Sequence, residues 1–539
     1  MANAGMLYVT MQPKAGLPIQ QFHEWYNNEH GPTRLRLPQI FSNGLRYQAA
    51  DGKEPTFLAA YDVTSMSHLE TETYTSLRAN RSPREAETIG QVNVKRYFWD
   101  LPSEKKSPLF LPIEQLTDDE AEGLTLLAVE FKLKDSADSK TKTLQWLEEQ
   151  VNMLSKVSGW LRSRILKTST LEAGAPVSFI ALHEFAKTNE LGDNAQYAAT
   201  RTPGWDEIQA SYATLNSQRL YSLFYVFGPA PRDLYNLSRL DPSTPAFKAP
   251  DSSSTTSTNP AAIMSSVTAH DGLTIPYRLE GNPDPKAPTV AFCNSLLTSL
   301  HMWDRFIDIF KAQRPQYRIL RYDFRGRHAI PAPPTPATLD ILADDLRALL
   351  TALRITKLDT LIGVSMGGAT TLRFALNYPD KLRKFVACDF NVASSPANTN
   401  AWKERIGVAE STAEDGGPGI KKLAGQTVER WFNPLTMQNK PETAHWITDM
   451  VAENDVEGFR FGCQALWDYD MKSQMKECQV PGLLIVGEGD GKGALVKAMD
   501  GFKGLLGKDG AELAVVPEAG HLPMCENPDG LWKAVEGFL

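Results

Sequence analysis

Apolar and polar positions follow the same order twice over roughly the first 230 residues, and each time the pattern predicts β-α-β-β-α-β. The predicted strands are 6–11, 44–49, 56–63, 91–99, 124–133, 160–168, 175–185 and 220–227. The predicted helical segments are 18–29, 67–79, 140–155 and 194–215. The chain therefore begins with an internally repeated α+β unit.

This order is typical of a ferredoxin-like module, in which helices cover one face of a four-stranded sheet. The uncovered face is apolar and has to be buried, so we expect the two sheets to close on each other within one chain. The resulting tandem ferredoxin-like domain would resemble an α/β barrel that needs no second protomer.

The apolar pattern stops in the polar, proline-containing stretch 241–260. Such a stretch cannot bury enough apolar surface to offset its ordering entropy, so we interpret it as a linker. We therefore divide the chain into a first domain at 1–235, a linker at 236–262 and a second domain at 263–539.

Apolar runs alternate with helical segments in this second domain, which predicts an α/β fold with a doubly wound, mostly parallel sheet. A helical insertion at about 390–478 is expected to form a cap at the carboxyl edge of that sheet. The predicted strands are 267–269, 274–280, 289–293, 317–322, 357–364, 384–388, 483–486 and 514–516, with helices at 339–353 and 531–539.

The composition argues against two classes of binding partner. The 539 residues are 42% hydrophobic and 22% charged, and the net charge is −8. A negatively charged protein is not expected to have nucleic acid or an anionic membrane as its main partner. We find no apolar run long enough for a membrane span and no N-terminal signal, so we expect a cytoplasmic protein. The five cysteines are scattered without a C-x-x-C pair, and several lie in apolar runs, which predicts that these are buried thiols and fits a reducing compartment.

The most informative motif is Gly363-Val364-Ser365-Met366-Gly367, which follows an apolar strand and opens a helix. Strand, G-x-S-x-G and helix in this order indicate a nucleophile elbow with Ser365 at its tip. The glycines allow the strand and the helix to approach without Cβ clashes. An ordinary glycine-rich turn is the alternative interpretation.

A serine nucleophile needs a histidine base, and the histidine needs an acid that orients it. In proteins with a nucleophile elbow of this kind, the chain order is serine, acid, histidine. His521 follows the last predicted strand, and Asp490 follows the strand before it. Asp389 and Glu488 are the rival acids. The developing oxyanion needs two backbone N–H groups, which we assign to Met366 and Leu296.

Several further segments resemble 3-oxoadipate enol-lactonases and related α/β-hydrolases. They are Asn294-Ser295-Leu296, Leu300-His301-Met302-Trp303-Asp304, the elbow, Glu429-Arg430-Trp431-Phe432 and Gly520-His521-Leu522-Pro523-Met524. The resemblance covers residues 265–539 and implies an α/β-hydrolase fold, with hydrolysis of a lactone or ester through an acyl-serine. The alternative is a hydrolase of C–C bonds in a β-diketone. Two departures concern the substrate: Leu297 replaces a glycine usual in those lactonases, and Arg327-His328-Ala329 replaces His-Gly-x-Ser.

The expected substrate is a small lactone or ester, and its contacts are less well defined than the triad. Asn294 and Ser295 of the oxyanion loop, Arg405 of the cap and Trp467 are the candidates. Lys403, Arg430 and Arg460 are further cations able to neutralise a carboxylate. The sequence contains no metal-ligand spacing, dinucleotide fingerprint or P-loop, so we expect no metal and no cofactor. The oligomeric state is left open.

The first domain carries its own candidate chemistry in the segment 22–32, Phe-His-Glu-Trp-Tyr-Asn-Asn-Glu-His-Gly-Pro. This segment resembles EthD-like proteins of the dimeric α/β-barrel superfamily, some of which use such residues in acid–base work. Catalysis at His23 and His30 is therefore a third hypothesis. The alternative, which we favour, is that both histidines hydrogen-bond and cap the helix.

Overall fold

The computed structural model describes residues 3–172, 174–192, 204–241, 243–244, 257–258, 261–412 and 417–539. Two compact units divide the chain, Met1–Pro231 with Ser243–Pro245, and Arg232–Pro242 with Ala246–Leu539. Helix Leu234–Leu237 belongs to the second unit, because its two leucines are buried and the helix packs against strand Ala261–Thr268. That strand begins within the segment predicted as linker.

The first unit is a closed barrel of eight strands, all paired antiparallel, in the order β1-β3-β2-β8-β5-β7-β6-β4. Within each half of the chain the strands follow the same internal order, with the first strand beside the third and the fourth. The halves join edge to edge, β2 with β8 and β4 with β6. The strands β1–β8 are Gly5–Pro13, Leu45–Ala49, Phe57–Val63, Val92–Lys106, Thr125–Leu133, Trp160–Thr168, Ser178–Phe185 and Ala213–Val226.

One chain thus closes the barrel, as the sequence predicted. The apolar faces of the two sheets form a common core that includes Tyr8, Leu58, Leu126 and Ile180. The helices form separate cores on the outside. The helical segments are Ile19–Trp25, Tyr26–His30, Gly31–Leu35, Met66–Glu70, Glu72–Ala79, Pro83–Gly90, Ile113–Gln115, Asp118–Ala121, Ser139–Leu154, Gly204–Glu207 and Ile208–Tyr212.

Two segments of this unit differ from the prediction. The strand Ala213–Val226 begins where a helix was expected, because residues 213–222 pair with Thr125–Leu133. The remainder of the predicted helical segment 194–215 lies partly outside the described residues. The helix Pro83–Gly90 was missed, although Ser82 caps it by accepting a hydrogen bond from Glu85 N–H at 3.0 Å.

The second unit contains a nine-stranded sheet in the order β17-β16-β15-β14-β12-β13-β11-β10-β9. The strands from β12 to β17 pair in parallel, and β9–β11 form an antiparallel edge. The elbow strand β14 is central and lacks charged residues after Asp359, as a strand buried on both faces requires. The strands β9–β17 are Ser257–Thr258, Ala261–Thr268, Thr274–Gly281, Thr289–Cys293, Arg318–Tyr322, Leu358–Val364, Leu382–Cys388, Gly482–Gly487 and Glu512–Val516.

Helices between β15 and β16 form the cap, and the others flank the sheet. The cap segments are Pro396–Glu410, Gly419–Trp431, Pro434–Asn439, Pro441–Ala452, Val456–Cys463, Gln464–Leu466 and Lys472–Met475. The remaining segments are Leu300–Trp303, Asp304–Gln313, Leu339–Ala352, Met366–Asn377, Pro379–Lys381, Asp490–Gly493, Ala494–Lys503, Pro523–Glu526 and Pro528–Val535. The five cysteines are all buried and free, which was predicted for several of them. In the described part of the chain, every helix is too short or too polar to span a membrane.

Candidate active site

Ser365 stands at a sharp turn between β14 and helix Met366–Asn377. Its backbone adopts φ 59° and ψ −120°, a conformation that is strained for a residue with a side chain. The turn is held because Ser365 N–H donates to the carbonyl of Cys388 at 2.9 Å. Gly367 is required here, since a Cβ at that position would collide with the carbonyls of Cys293 and Asn294. The local sequence therefore forces the serine into an elbow.

His521 and Asp490 meet through a hydrogen bond of 2.7 Å between His521 Nδ1 and Asp490 Oδ2. Both side chains are largely buried, with 14% and 10% of their surfaces exposed. Asp490 precedes a turn in which the backbone passes through three successive left-handed residues, 491–493. The distance is that of a charge-assisted hydrogen bond, so the carboxylate can orient the imidazole and stabilise its protonated form.

The cap residue Trp431 packs against the histidine; the sequence placed it in a lactonase-like segment without assigning it a role. Its indole stacks on the His521 ring with centroids 5.4 Å apart, and its carbonyl accepts the His521 backbone N–H at 2.7 Å. Among the described contacts, Ser365 and His521 do not share a hydrogen bond. Such bonds commonly tighten only when substrate is bound.

The two rival acids have different surroundings. Glu488 is exposed and accepts the N–H of Glu518 at 3.2 Å. Asp389 is 1% exposed, and its Oδ1 accepts the N–H of Gly487 at 2.8 Å. Burial and the neighbouring charge of Asp490 raise the pKa of Asp389 well above its usual range. Asp389 therefore lies beside the acid–histidine pair, whereas Asp490 makes the direct contact with His521.

The two assigned oxyanion donors line one small cavity of about 20 Å³. Leu296 follows β12, and Met366 begins the helix behind the elbow. Neither backbone N–H donates to a protein acceptor among the hydrogen bonds of the described residues. Two free N–H groups at one cavity are able to stabilise an alkoxide oxygen.

Leu297, the residue that departs from the lactonase pattern, adopts φ 70°. This left-handed conformation favours glycine, so a leucine here carries backbone strain. Its carbonyl accepts a hydrogen bond of 2.7 Å from Asn454 Nδ2, and Arg327 Nη1 lies 3.5 Å from the same oxygen. Asn454 of the cap and Arg327, from the segment that replaces His-Gly-x-Ser, thus both contact the loop that carries Leu296.

Asn294 and Ser295, the two predicted substrate contacts after β12, differ in their hydrogen-bond partners. The Asn294 amide donates to Tyr322 O at 2.9 Å and Asp323 Oδ1 at 3.1 Å, and its oxygen accepts from Trp303 at 3.0 Å. Its side chain therefore has internal partners, and its contact with substrate stays a prediction. Ser295 lines the small cavity, but its Oγ is buried without a hydrogen-bond partner.

Arg405 and Trp467 belong to the cap and do not line that cavity. The Arg405 guanidinium lies over the Trp402 ring at 4.4 Å, and burial lowers the pKa of Arg405. The Lys403 ammonium lies over the Trp467 ring at 5.3 Å. Burial, followed by the charge of Arg405, lowers the pKa of Arg430 to about 10. Arg460 pairs with Glu410.

Glu526 is a second residue that sequence reasoning missed. It is fully buried, and its Oε1 accepts the N–H groups of Gly520 at 2.9 Å and Leu522 at 3.3 Å, on both sides of His521. Its Oε2 accepts the N–H of Asn433 in the cap at 2.7 Å. Burial raises the pKa of Glu526 to about 7. The only signal in the sequence that could have indicated this role is the position of Glu526, five residues after His521.

The candidate histidines of the first unit are enclosed. His30 is 5% exposed and bonds Glu85 through Nδ1 at 2.8 Å, and burial lowers its pKa to about 3. His23 packs against Phe57 and Phe224, and burial lowers its pKa to about 2. The two cavities of about 280 Å³ in this unit are lined by neither histidine.

One group of the described residues has ligand atoms close enough to share an ion. Atoms of Asp389, Asp490 and His521 lie within 4.8 Å of one another. The 2.7 Å separation of His521 and Asp490 is that of an N–H···O hydrogen bond, and the chemistry of an acid–histidine pair needs no ion there.

Known proteins resemble the second unit. Residues 288–528 match the family described as alpha/beta hydrolase fold. The chain is 30% identical over 273 residues to 3-oxoadipate enol-lactonase 2 of Acinetobacter baylyi (strain ATCC 33305 / BD413 / ADP1), covering 51% of this chain and 95% of that protein. 3-Oxoadipate enol-lactonase 1 of the same strain is 26% identical, with 51% and 96% covered. The crystal structure of the enol-lactonase from Burkholderia xenovorans LB400 is 27% identical, covers 51% of this chain and 98% of its own, and has a TM-score of 0.45. Through its C-terminal half, the chain belongs to the alpha/beta hydrolase fold family.

Proposed function

We propose that the protein is a cofactor-independent serine hydrolase that cleaves a lactone or ester through an acyl-serine. Ser365 is the nucleophile, His521 the base and Asp490 the acid that orients it. The observation that carries the proposal is the hydrogen bond of 2.7 Å between His521 and Asp490, on the strand edge where the elbow presents Ser365. The enol-lactonase names of the relatives support the substrate class.

The reaction follows from these groups. His521 Nε2 takes the Ser365 hydroxyl proton while Oγ attacks the carbonyl carbon, and the carbonyl oxygen becomes an oxyanion. The N–H groups of Leu296 and Met366 stabilise that charge, and one such donor is worth roughly a hundredfold or more in rate. His521 then protonates the leaving oxygen, which in a lactone stays tethered to the acyl group. Water activated by His521 releases the acid and restores Ser365.

The barrel unit has a non-catalytic role in this proposal. Its two sets of four strands share one order, which supports a pair of ferredoxin-like repeats, and the segment 22–32 supports an EthD-like origin. His30 is buried, His23 is packed among aromatic rings, and neither lines one of the two larger cavities. We therefore expect this unit to act as a scaffold.

A chromogenic short-chain ester and a panel of lactones test the proposal on the full chain. Wild type should turn over at least one of them, and Ser365→Ala should lose activity by several orders of magnitude. Ser411→Ala, an exposed serine in the cap, is the matched control and should behave as wild type. Activity that survives in Ser365→Ala refutes the serine mechanism. Release of two fragments from a β-diketone, with lactones untouched, would favour C–C hydrolysis.

A further inference from the structure

The second buried carboxyl beside the triad, Asp389, is not used by the mechanism above. It follows β15, directly after the residue whose carbonyl holds Ser365 N–H. Its backbone adopts φ 47°, a left-handed conformation that asparagine and aspartate tolerate better than other side chains. The strained turn aims its carboxyl at Asp490 and His521, with polar atoms of all three within 4.8 Å.

The hydrogen bonding of Asp389 is incomplete if the group is a carboxylate. Oδ1 accepts the N–H of Gly487 at 2.8 Å, whereas Oδ2 is buried and finds no donor. An ionised oxygen without a donor is costly in such surroundings. If that oxygen carries a proton, the O–H has an acceptor at hand in the Asp490 carboxylate.

We propose, on the basis of the proposed triad, that Asp389 is a positioning residue that carries a proton and donates it in a hydrogen bond to the Asp490 carboxylate. Two carboxyls in contact then share one negative charge. The bond fixes Asp490 toward His521 and withdraws part of the charge that stabilises the imidazolium. His521 is thereby kept a weaker base than a fully charged acid would make it.

The neighbouring acidic groups favour the protonated form. Asp490 faces Asp389 from the loop after β16, and Glu526 faces it from the helix after His521; both act to raise its pKa. The Gly487 N–H acts in the opposite direction, and His521 is the one titratable base of this group. A second like charge within the cluster is unfavourable, which is the situation of paired carboxyls that hold a single proton.

The sign of a pKa change at His521 tests the proposal. The amide introduced by Asp389→Asn can still donate a hydrogen bond to Asp490, so the pKa of His521 should stay at the wild-type value. Asp389→Ala removes the donor and leaves Asp490 fully charged, so the pKa of His521 should rise by about one unit. If Asp389 were ionised, both substitutions would instead lower the pKa of His521, because an anion would be lost.

We would measure this by NMR titration of the full chain labelled at histidine Cε1, with His521→Gln assigning the signal among nine histidines. An infrared difference between wild type and Asp389→Asn at pH 7 should show the carbonyl band of an un-ionised carboxylic acid. This second measurement decides the matter if Asp389→Ala fails to fold. The proposal is overturned if the pKa of His521 is lowered or unmoved in both variants. It is also overturned if the infrared difference shows carboxylate bands alone, or if EDTA removes ester turnover and Zn²⁺ restores it. These readouts need no substrate except the last, so they are distinct from failure of the Ser365→Ala test.

Discussion

Asp490→Asn is the substitution that most directly tests the assignment of the acid. The Asp490 carboxylate accepts a hydrogen bond of 2.7 Å from His521 Nδ1–H in a largely buried setting. Asparagine has the same shape, but its amide can place N–H groups toward Nδ1 and favour the wrong tautomer. The imidazole then presents N–H, not a lone pair, to Ser365. We expect kcat to fall about ten-thousandfold.

That loss corresponds to about 5 kcal/mol of transition-state stabilisation. The free energy of unfolding should change by much less, about 1–3 kcal/mol, because one hydrogen bond of a partly exposed pair is altered. Ester turnover at saturating substrate measures the first quantity, and urea unfolding followed by circular dichroism measures the second. The large difference between them separates a loss of chemistry from a loss of fold.

Glu488→Gln is the matched control, since Glu488 is the neighbouring acid of the same loop and is exposed. Its turnover should lie within about twofold of wild type, as for most surface substitutions. The reasoning is refuted if Asp490→Asn is mild while Asp389→Asn or Glu488→Gln abolishes turnover. Either result would move the acid to a residue that makes no hydrogen bond to His521 among the described contacts.

Three further predictions concern other parts of the chain. Because burial raises the pKa of Glu526 from 4.5 to about 7, the folded state keeps its proton while the unfolded state releases it, so stability from this group falls between those pH values. From about pH 4.5 to 8, the free energy of unfolding of wild type should therefore fall by about 3 kcal/mol relative to that of Glu526→Gln. Urea unfolding measures this difference, and a difference that does not change with pH would contradict the prediction. Gly367→Ala should lower both ester turnover and stability, because the added Cβ collides with two carbonyls. Gly407→Ala has open space and should stabilise its helix by about 0.5–1 kcal/mol in thermal unfolding. Equal effects of the two substitutions would contradict this prediction. A fragment of residues 1–235 should sediment as a folded monomer, since its eight strands close without a partner, and obligate dimers would refute this.

Local sequence determined the elements whose geometry depends on near neighbours. The elbow follows from glycines flanking Ser365, because only residues without Cβ fit where strand and helix meet. The strands 160–168 and 289–293 were predicted with their observed bounds, since their apolar runs end at clear turns. The repeated order of the first 230 residues likewise predicted a barrel closed by one chain.

Tertiary structure decided the features that depend on distant pairing. Sequence left three acids open for His521, and only the turn at 491–493 places Asp490 against Nδ1. The strand Ala213–Val226 was taken in part for a helix because its polar start is stabilised by pairing with Thr125–Leu133, which no local pattern reveals. Asn294 is predicted to contact substrate, and only the tertiary structure shows which internal partners its amide has. The proximity of Asp389 to Asp490 and His521 arises in the same way, since two strand ends bring together carboxyls that lie far apart in the sequence.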